Sequence, residues 1–177
     1  MFLKPDEVFN HLYIEPTSRF GDFGAGAGHY SLLAAKKLAP GGAVYAFDIN
    51  GGSLDRLRTE GEKYAADFYT LDSDLNQHIP LRDNLLDSAV VANVLHQLEA
   101  REYFARELSR VMRPGGKALV IDWVSSFKNM GPAEGKTALP GDAVRFFKLA
   151  GFTTGEMLPA GTHHFAFIAT LPSLLEL

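Results

Sequence analysis

Asp22, Gly24, Gly26, Gly28 and Asp48 have the types and spacing to hold a charged, sugar-bearing ligand. Glycine has no Cβ, so a chain that alternates glycine through GAGAG can turn tightly and let a ligand approach its backbone. The apolar, alanine-rich stretch Tyr30–Leu38 that follows reads as a helix. The first N–H groups of a helix have no partner within it and favour negative charge, so a carboxylate or phosphate fits there. Asp48 lies 22 residues past Gly26, at the end of the next apolar run. A carboxylate at the carboxyl end of a parallel strand can accept both hydroxyls of a ribose.

Two ligand classes share these requirements. A dinucleotide fingerprint reads G-x-G-x-x-G. Gly24 and Gly26 match it, but the third place is His29 and the glycine falls one residue early, at Gly28. Asp22 stands two residues before the first glycine. A pyrophosphate gains nothing from that carboxylate, whereas a cofactor carrying an ammonium group does. A nicotinamide site and a purely structural tight turn are the other readings of the loop.

The elements that must position these groups form a βαβ unit. Ser18–Phe23 and Ala43–Phe47 are strand-like and flank the helix. The whole chain has 177 residues, the length of one domain, with a short N-terminal helix or lid over 1–17. Apolar and charged contents of 46% and 21% are those of an ordinary globular protein, and a net charge of −4 points to no general nucleic-acid or membrane surface. The absence of cysteine excludes disulfides, thiolate metal sites and cysteine nucleophiles, and fits a reducing cytoplasm. No apolar run reaches the roughly 18 residues of a membrane span.

The pattern D-x-G-x-G-x-G from Asp22 to Gly28, closed by the strand-terminal acid Asp48, resembles motif I and the ribose acid of the class I S-adenosylmethionine-dependent methyltransferases. That resemblance implies a Rossmann-like α/β fold: a seven-stranded sheet, mostly parallel with an antiparallel last strand, and helices on both faces. It implies S-adenosylmethionine as cofactor, with Asp22, Gly24, Ala25, Gly26, Tyr30, Asp48 and Ile49 around it. Ala25 stands where the family commonly has cysteine.

Further along, Pro5–Leu12 is helical and packs at a sheet edge, or else forms a lid that brings Phe2, His11 or Tyr13 to a substrate pocket. Ser53 is an N-cap candidate for a helix over Leu54–Tyr64, and Ala66–Leu71 is a third strand that runs into LDSDLN. By the resemblance, Asp74 (with Asp72 as the alternative) accepts from the adenine amino group, and the Leu75 N–H faces the ring.

The stretch IPLRDNLLDSAVVANVLHQL, residues 79–98, resembles the fourth-strand region of methyltransferases related to ubiquinone and menaquinone biosynthesis. It implies that the Asn93 backbone meets the methionine end of the cofactor and that His96 lines the active-site mouth. Histidine exchanges protons near neutral pH, so His96 is the candidate general base; a helix cap or core histidine is the other reading.

Glu99–Met112 is a helix stopped by Arg113-Pro114-Gly115-Gly116, and Lys117–Trp123 is a fifth strand with Asp122 and Trp123 at its carboxyl end, where they could touch substrate. Residues 125–140 read as a loop, Asp142–Ala150 as a helix, and Thr153–Leu158 with Phe165–Leu171 as a closing hairpin. His163 and His164 start its last strand, where neighbouring side chains point to opposite faces, and both are expected in solvent.

No N-P-P-aromatic follows the fourth strand and no basic patch with interleaved aromatics occurs, which argues against nucleic-acid acceptors. The reading that leads is methyl transfer to a small-molecule acceptor by in-line displacement. A cofactor-binding partner subunit without transfer activity and a nicotinamide-dependent oxidoreductase are the alternatives. The sequence leaves the acceptor and the oligomeric state open.

Overall fold

Apolar runs bounded by glycine or polar turns become the strands of one sheet in the computed structural model, which describes residues 2–128, 130–133 and 135–173. They are β1 (Arg19–Phe23), β2 (Ala43–Asp48), β3 (Asp67–Asp72), β4 (Leu86–Ala92), β5 (Met112–Trp123), β6 (Thr153–Thr154) and β7 (His164–Thr170), in the order β3-β2-β1-β4-β5-β7-β6. Pairing is parallel from β3 through β5. The last strand, β7, runs antiparallel and sits between β5 and β6. This is the seven-stranded, mostly parallel sheet with an antiparallel closing strand that the sequence leads one to expect.

Among the described residues five α-helices cover both faces: α1 (Pro5–Phe9), α2 (His29–Lys37), α3 (Gly51–Gly61), α4 (Arg101–Val111) and α5 (Pro140–Leu149). A strand alternates its side chains between faces, so each central strand feeds two cores. Phe23, Val91 and Val120 point to the side of Phe104, Leu108 and Phe147 from α4 and α5. Phe20, Val90 and Ile121 point to the side of Val8 and Phe9 of α1 and Ala34 of α2. The N-terminal segment thus lies across α2 and the middle of the sheet, not at its edge, with Val8, Phe9, Leu12 and Ile14 buried. His11 and Tyr13 are exposed, and Phe2 reaches Phe127 and His163.

Several boundaries move for local reasons. Asn50, not Ser53, caps α3: its side chain accepts from the Ser53 N–H at 3.0 Å. The strand β5 begins at Met112, directly after α4, because Met112 pairs with Leu86 before Arg113–Gly116 bulge out and pairing resumes at Lys117. Arg113 then pairs with Asp87, which also accepts from the Arg19 N–H. The turn into β4 is held by α4: Glu107 accepts from the Ile79 N–H at 2.8 Å, and the Arg110 guanidinium spans Ile79 O, Leu81 O and Asp83. In the first arm of the closing hairpin, expected over Thr153–Leu158, regular strand covers Thr153–Thr154, although the Gly155 and Leu158 N–H groups still reach β7. Among the described residues no helix is long and apolar enough to cross a membrane.

Gly28 fixes how the cofactor-side helix starts. It is the N-cap of α2 with φ +84°, and a Cβ there would lie 2.2 Å from a methyl of Leu57 on α3. Gly28→Ala is expected to lower stability by about 2–4 kcal/mol, a left-handed backbone penalty added to overpacking. Urea unfolding measures this, and a loss below about 0.5 kcal/mol would refute the packing role.

Candidate active site

The carboxyl ends of β1, β2 and β4 open onto one cleft. Gly24, Gly26, Asp48, Ile49, Asp74, Leu75 and Asn93 line it, joined by Ser73, Asn76, Val94, Gln97 and Leu98. Its volume of about 260 Å³ lies just under the roughly 300–1,000 Å³ of small-molecule sites.

The floor is the glycine turn. Gly24 and Ala25 donate to Phe47 O at 2.9 and 2.8 Å, and Gly26 donates to Asp48 Oδ2 at 2.7 Å. Gly26 has φ +52° and nothing within 4 Å of its Cβ direction, so that side is open to a ligand. The second oxygen of Asp48 accepts from the Asn50 N–H at 2.9 Å. An ionised carboxylate has about four acceptor positions, so Asp48 keeps capacity for hydroxyl donors.

Asp22 is buried beneath the turn, where its Oδ2 accepts from the Ser31 N–H at 2.9 Å and from Ser31 Oγ at 2.6 Å. Ser31 is in the first turn of α2, so the protein's own carboxylates answer the turn donors that were expected to face an anion. Burial pushes the Asp22 carboxyl up to about 6, the Ser31 donors oppose this, and nearby Asp48 adds to it. Two close acids with no basic partner among their hydrogen bonds favour a cationic ligand group.

The far wall rests on Asp74. Its carboxylate accepts from Asn76 N, Asn76 Nδ2 and Gln77 Nε2 at 2.9, 3.0 and 3.2 Å, and these donors, those of Asn76 first, hold its pKa below the usual carboxylate value. Asn76 Oδ1 in turn accepts from Glu99 N and Ala100 N ahead of α4. Asn93 is left-handed, at φ +56°, with its N–H on Ile121 O at 2.9 Å. Its side-chain Oδ1 is buried and has no partner among the described residues, leaving an acceptor for a donor in the cleft. Exposed Asp72 does not line the cleft.

Three residues of the expected cofactor set do not line the cleft: Asp22 beneath the turn, Ala25 and Tyr30. Ala25 packs behind the turn against Ala46 and Leu57. Tyr30 packs its ring on Phe9, 5.7 Å between centroids, and its buried hydroxyl has no partner. His96 sits in a short 3₁₀ turn, Leu95–Gln97, beyond the cleft lining and turned toward β5. There Nδ1 meets Asp122 Oδ1 at 2.7 Å. Asp122 is fully buried, so it faces His96 and not a substrate. His164 is buried, contrary to the expectation of solvent: its ring lies 4.0 Å from that of Trp123 and both ring nitrogens lack partners. Burial lowers its pKa, which favours the neutral form.

The comparisons with known proteins agree with this geometry. Residues 21–120 match the family described as "Methyltransferase domain". The chain belongs to that methyltransferase family. It is 30% identical over 119 residues to the ubiquinone/menaquinone biosynthesis C-methyltransferase UbiE of Cupriavidus pinatubonensis, covering 65% of this chain and 47% of that enzyme. The Pseudomonas fluorescens UbiE is 31% identical over 110 residues, covering 60% and 42%. The chain therefore spans about half the length of these curated relatives. A solved S-adenosylmethionine-dependent methyltransferase from Aquifex aeolicus superposes with a TM-score of 0.83 at 26% identity, covering 96% of this chain and 90% of that one. The [4+2]-cyclase SpnF shares the fold with a TM-score of 0.77 at 17% identity, covering 95% and 80%.

The Asp22 carboxyl sets a pH signature. A folded-state pKa near 6, above the unfolded carboxyl value of about 3.9, means that the ligand-free fold is favoured at low pH. That advantage is whole below the unfolded value and is lost as pH rises through the folded one. Asp22→Asn is expected to make the ligand-free protein about 1–3 kcal/mol more stable at pH 8 and nearly neutral at pH 4. Thermal unfolding of both proteins across that range measures it, and an equal effect at both pH values would count against the buried charge.

Proposed function

We propose that the protein is an S-adenosylmethionine-dependent methyltransferase acting on a small-molecule acceptor. The observation that carries this is the join of Gly26 to Asp48: a backbone turn open to a ligand, clamped to a strand-end carboxylate with acceptor capacity left. Family membership supports S-adenosylmethionine as the cofactor. In this reading Asp48 takes the ribose hydroxyls. Exposed Ile49 and the Leu75 wall flank the adenine, and Asp74 meets its amino group. Gly24, Gly26 and the orphan Asn93 Oδ1 hold the methionine end, with Asp22 supplying negative charge behind the turn.

When bound, S-adenosylmethionine supplies a methyl group already activated on a sulfonium. The work left to the chain is placement, and well-oriented approach is worth roughly 7–11 kcal/mol of barrier. The cleft walls hold one reactant, and the 3₁₀ turn after β4 brings His96 to the rim as the base for an acceptor that carries a proton. The protein is read as cytoplasmic, with no nucleic-acid partner.

A second reading keeps cofactor binding without transfer, as a partner or regulatory subunit. It is favoured by one observation, that the candidate base His96 lies outside the cleft lining and faces Asp122. The nicotinamide reading gains nothing from a sheet closed by an antiparallel strand.

Calorimetric titration with S-adenosylhomocysteine, with NADH in parallel, tests the cofactor. Micromolar binding of the first and none of the second is expected, and Asp48→Ala should weaken it by about 30-fold or more, as loss of hydrogen bonds to a charged group implies. NADH binding alone, or affinity unchanged in the variant, would sink the assignment.

A further inference from the structure

Asp122 is spent on His96. Its Oδ1 meets His96 Nδ1 at 2.7 Å and accepts from the Trp123 N–H at 2.7 Å, and its Oδ2 accepts from the His96 backbone N–H at 3.1 Å. The carboxyl group has no exposure, whereas 12% of the His96 side chain remains open. His96 Nε2 has no hydrogen-bond partner among the described residues and is not sealed in the core. A carboxylate accepts only, so the ring nitrogen facing it must be the one that carries hydrogen. The proton of neutral His96 is therefore on Nδ1, and the lone pair on Nε2 points outward. Both ring and backbone of His96 are tied to one buried group, which fixes the imidazole in orientation as well as in tautomer. A helix cap needs only the backbone bond, and the second, shorter bond to the ring goes beyond what capping requires.

We propose that Asp122 is a positioning residue that presents His96 Nε2 as the proton acceptor for a methyl acceptor bearing a weakly acidic hydroxyl, such as a phenol. This rests on the methyltransferase reading above. In the step, the acceptor oxygen forms a bond to the methyl carbon, and the carbon–sulfur bond breaks with its electron pair left on sulfur. The hydroxyl proton passes to Nε2, and the resulting imidazolium lies against the Asp122 carboxylate, as in the buried acid–histidine pairs that orient a base. Trp123, next to Asp122 in the chain, lies on His164 at 4.0 Å, and Phe127 lies between Phe2 and His163 at 5.2 and 5.0 Å, an aromatic cluster beyond the end of β5 that suits a flat acceptor.

The test uses the full chain with S-adenosylhomocysteine. Nitrogen-15 spectra of histidine-labelled protein at pH 8.5 are expected to show His96 with a protonated Nδ1 and an unprotonated Nε2, and Asp122→Ala should move it toward the Nε2–H form. Asp122→Asn, which keeps the side-chain volume, should lower kcat for a panel of phenols by about tenfold or more with KM and cofactor affinity within about threefold. An Nε2–H tautomer in the parent protein overturns the proposal, as does an Asp122→Asn enzyme of undiminished kcat. So does a parent protein that binds S-adenosylhomocysteine and methylates other acceptors but no phenol. Failure of the parent protein to bind S-adenosylhomocysteine would instead overturn the methyltransferase reading itself.

Discussion

The turn after β1 is fastened to the end of β2 by three donors: Gly24 N and Ala25 N on Phe47 O, and Gly26 N on Asp48. Everything at the cleft depends on this fastening. It sets the height of the floor, aims the Asp48 carboxylate into the opening, and starts α2 where Ser31 can reach back to Asp22. A residue with a side chain at Gly28 would drive α2 away from Leu57 and loosen the same joint. The turn thus spends the Gly24, Ala25 and Gly26 donors internally, and its carboxylates offer a ligand acceptors.

That polarity separates this cleft from a phosphate cradle. Where a helix terminus binds anions elsewhere, here the Ser31 N–H of α2 is answered by Asp22 and the Gly26 N–H of the preceding turn by Asp48. With the orphan Asn93 oxygen they make a site rich in acceptors, suited to hydroxyls and to an ammonium. A second polar centre, Asp122 with His96, is built at the ends of β5 and β4 and carries a different task. The parallel pairing of β4 with β5 brings them together across 26 residues of sequence.

Much of the fold could be read from the chain, because its signals are local. The range Leu86–Ala92 is an apolar run and is found as β4 unchanged, and the closing strand is antiparallel as the family resemblance implied. The glycine turn and Asp48 were legible for the same reason, since spacing along one βαβ unit fixes their distance. What escaped notice depends on contacts between distant segments. His164 reads as a solvent position by sequence, yet Trp123 on the paired strand covers it. Asp122 reads as a strand-end acid facing ligand until the 3₁₀ turn after β4 folds His96 onto it. Asn50 takes the cap from Ser53 because the chain leaves β2 extended at Asn50, with φ −96° and ψ 94°. Asn76 and Gln97 carry no motif at all and are found in the cleft lining only because two loops converge there.

The strand order has a consequence for how the molecule is made. At the middle of the sheet Phe20 pairs with Ser88, and the Arg19 N–H meets Asp87 across 68 residues. During synthesis β1, β2 and β3 can align as soon as they emerge, since each follows its neighbour. Yet β1 keeps one bare edge until β4 has left the ribosome, and β5 keeps one until β7 slides between it and β6. Pairings so distant along the chain are slow to close. A nascent chain therefore carries an open sheet flank until β7 emerges, and the pairing of β7 with β5 is the event that seals it.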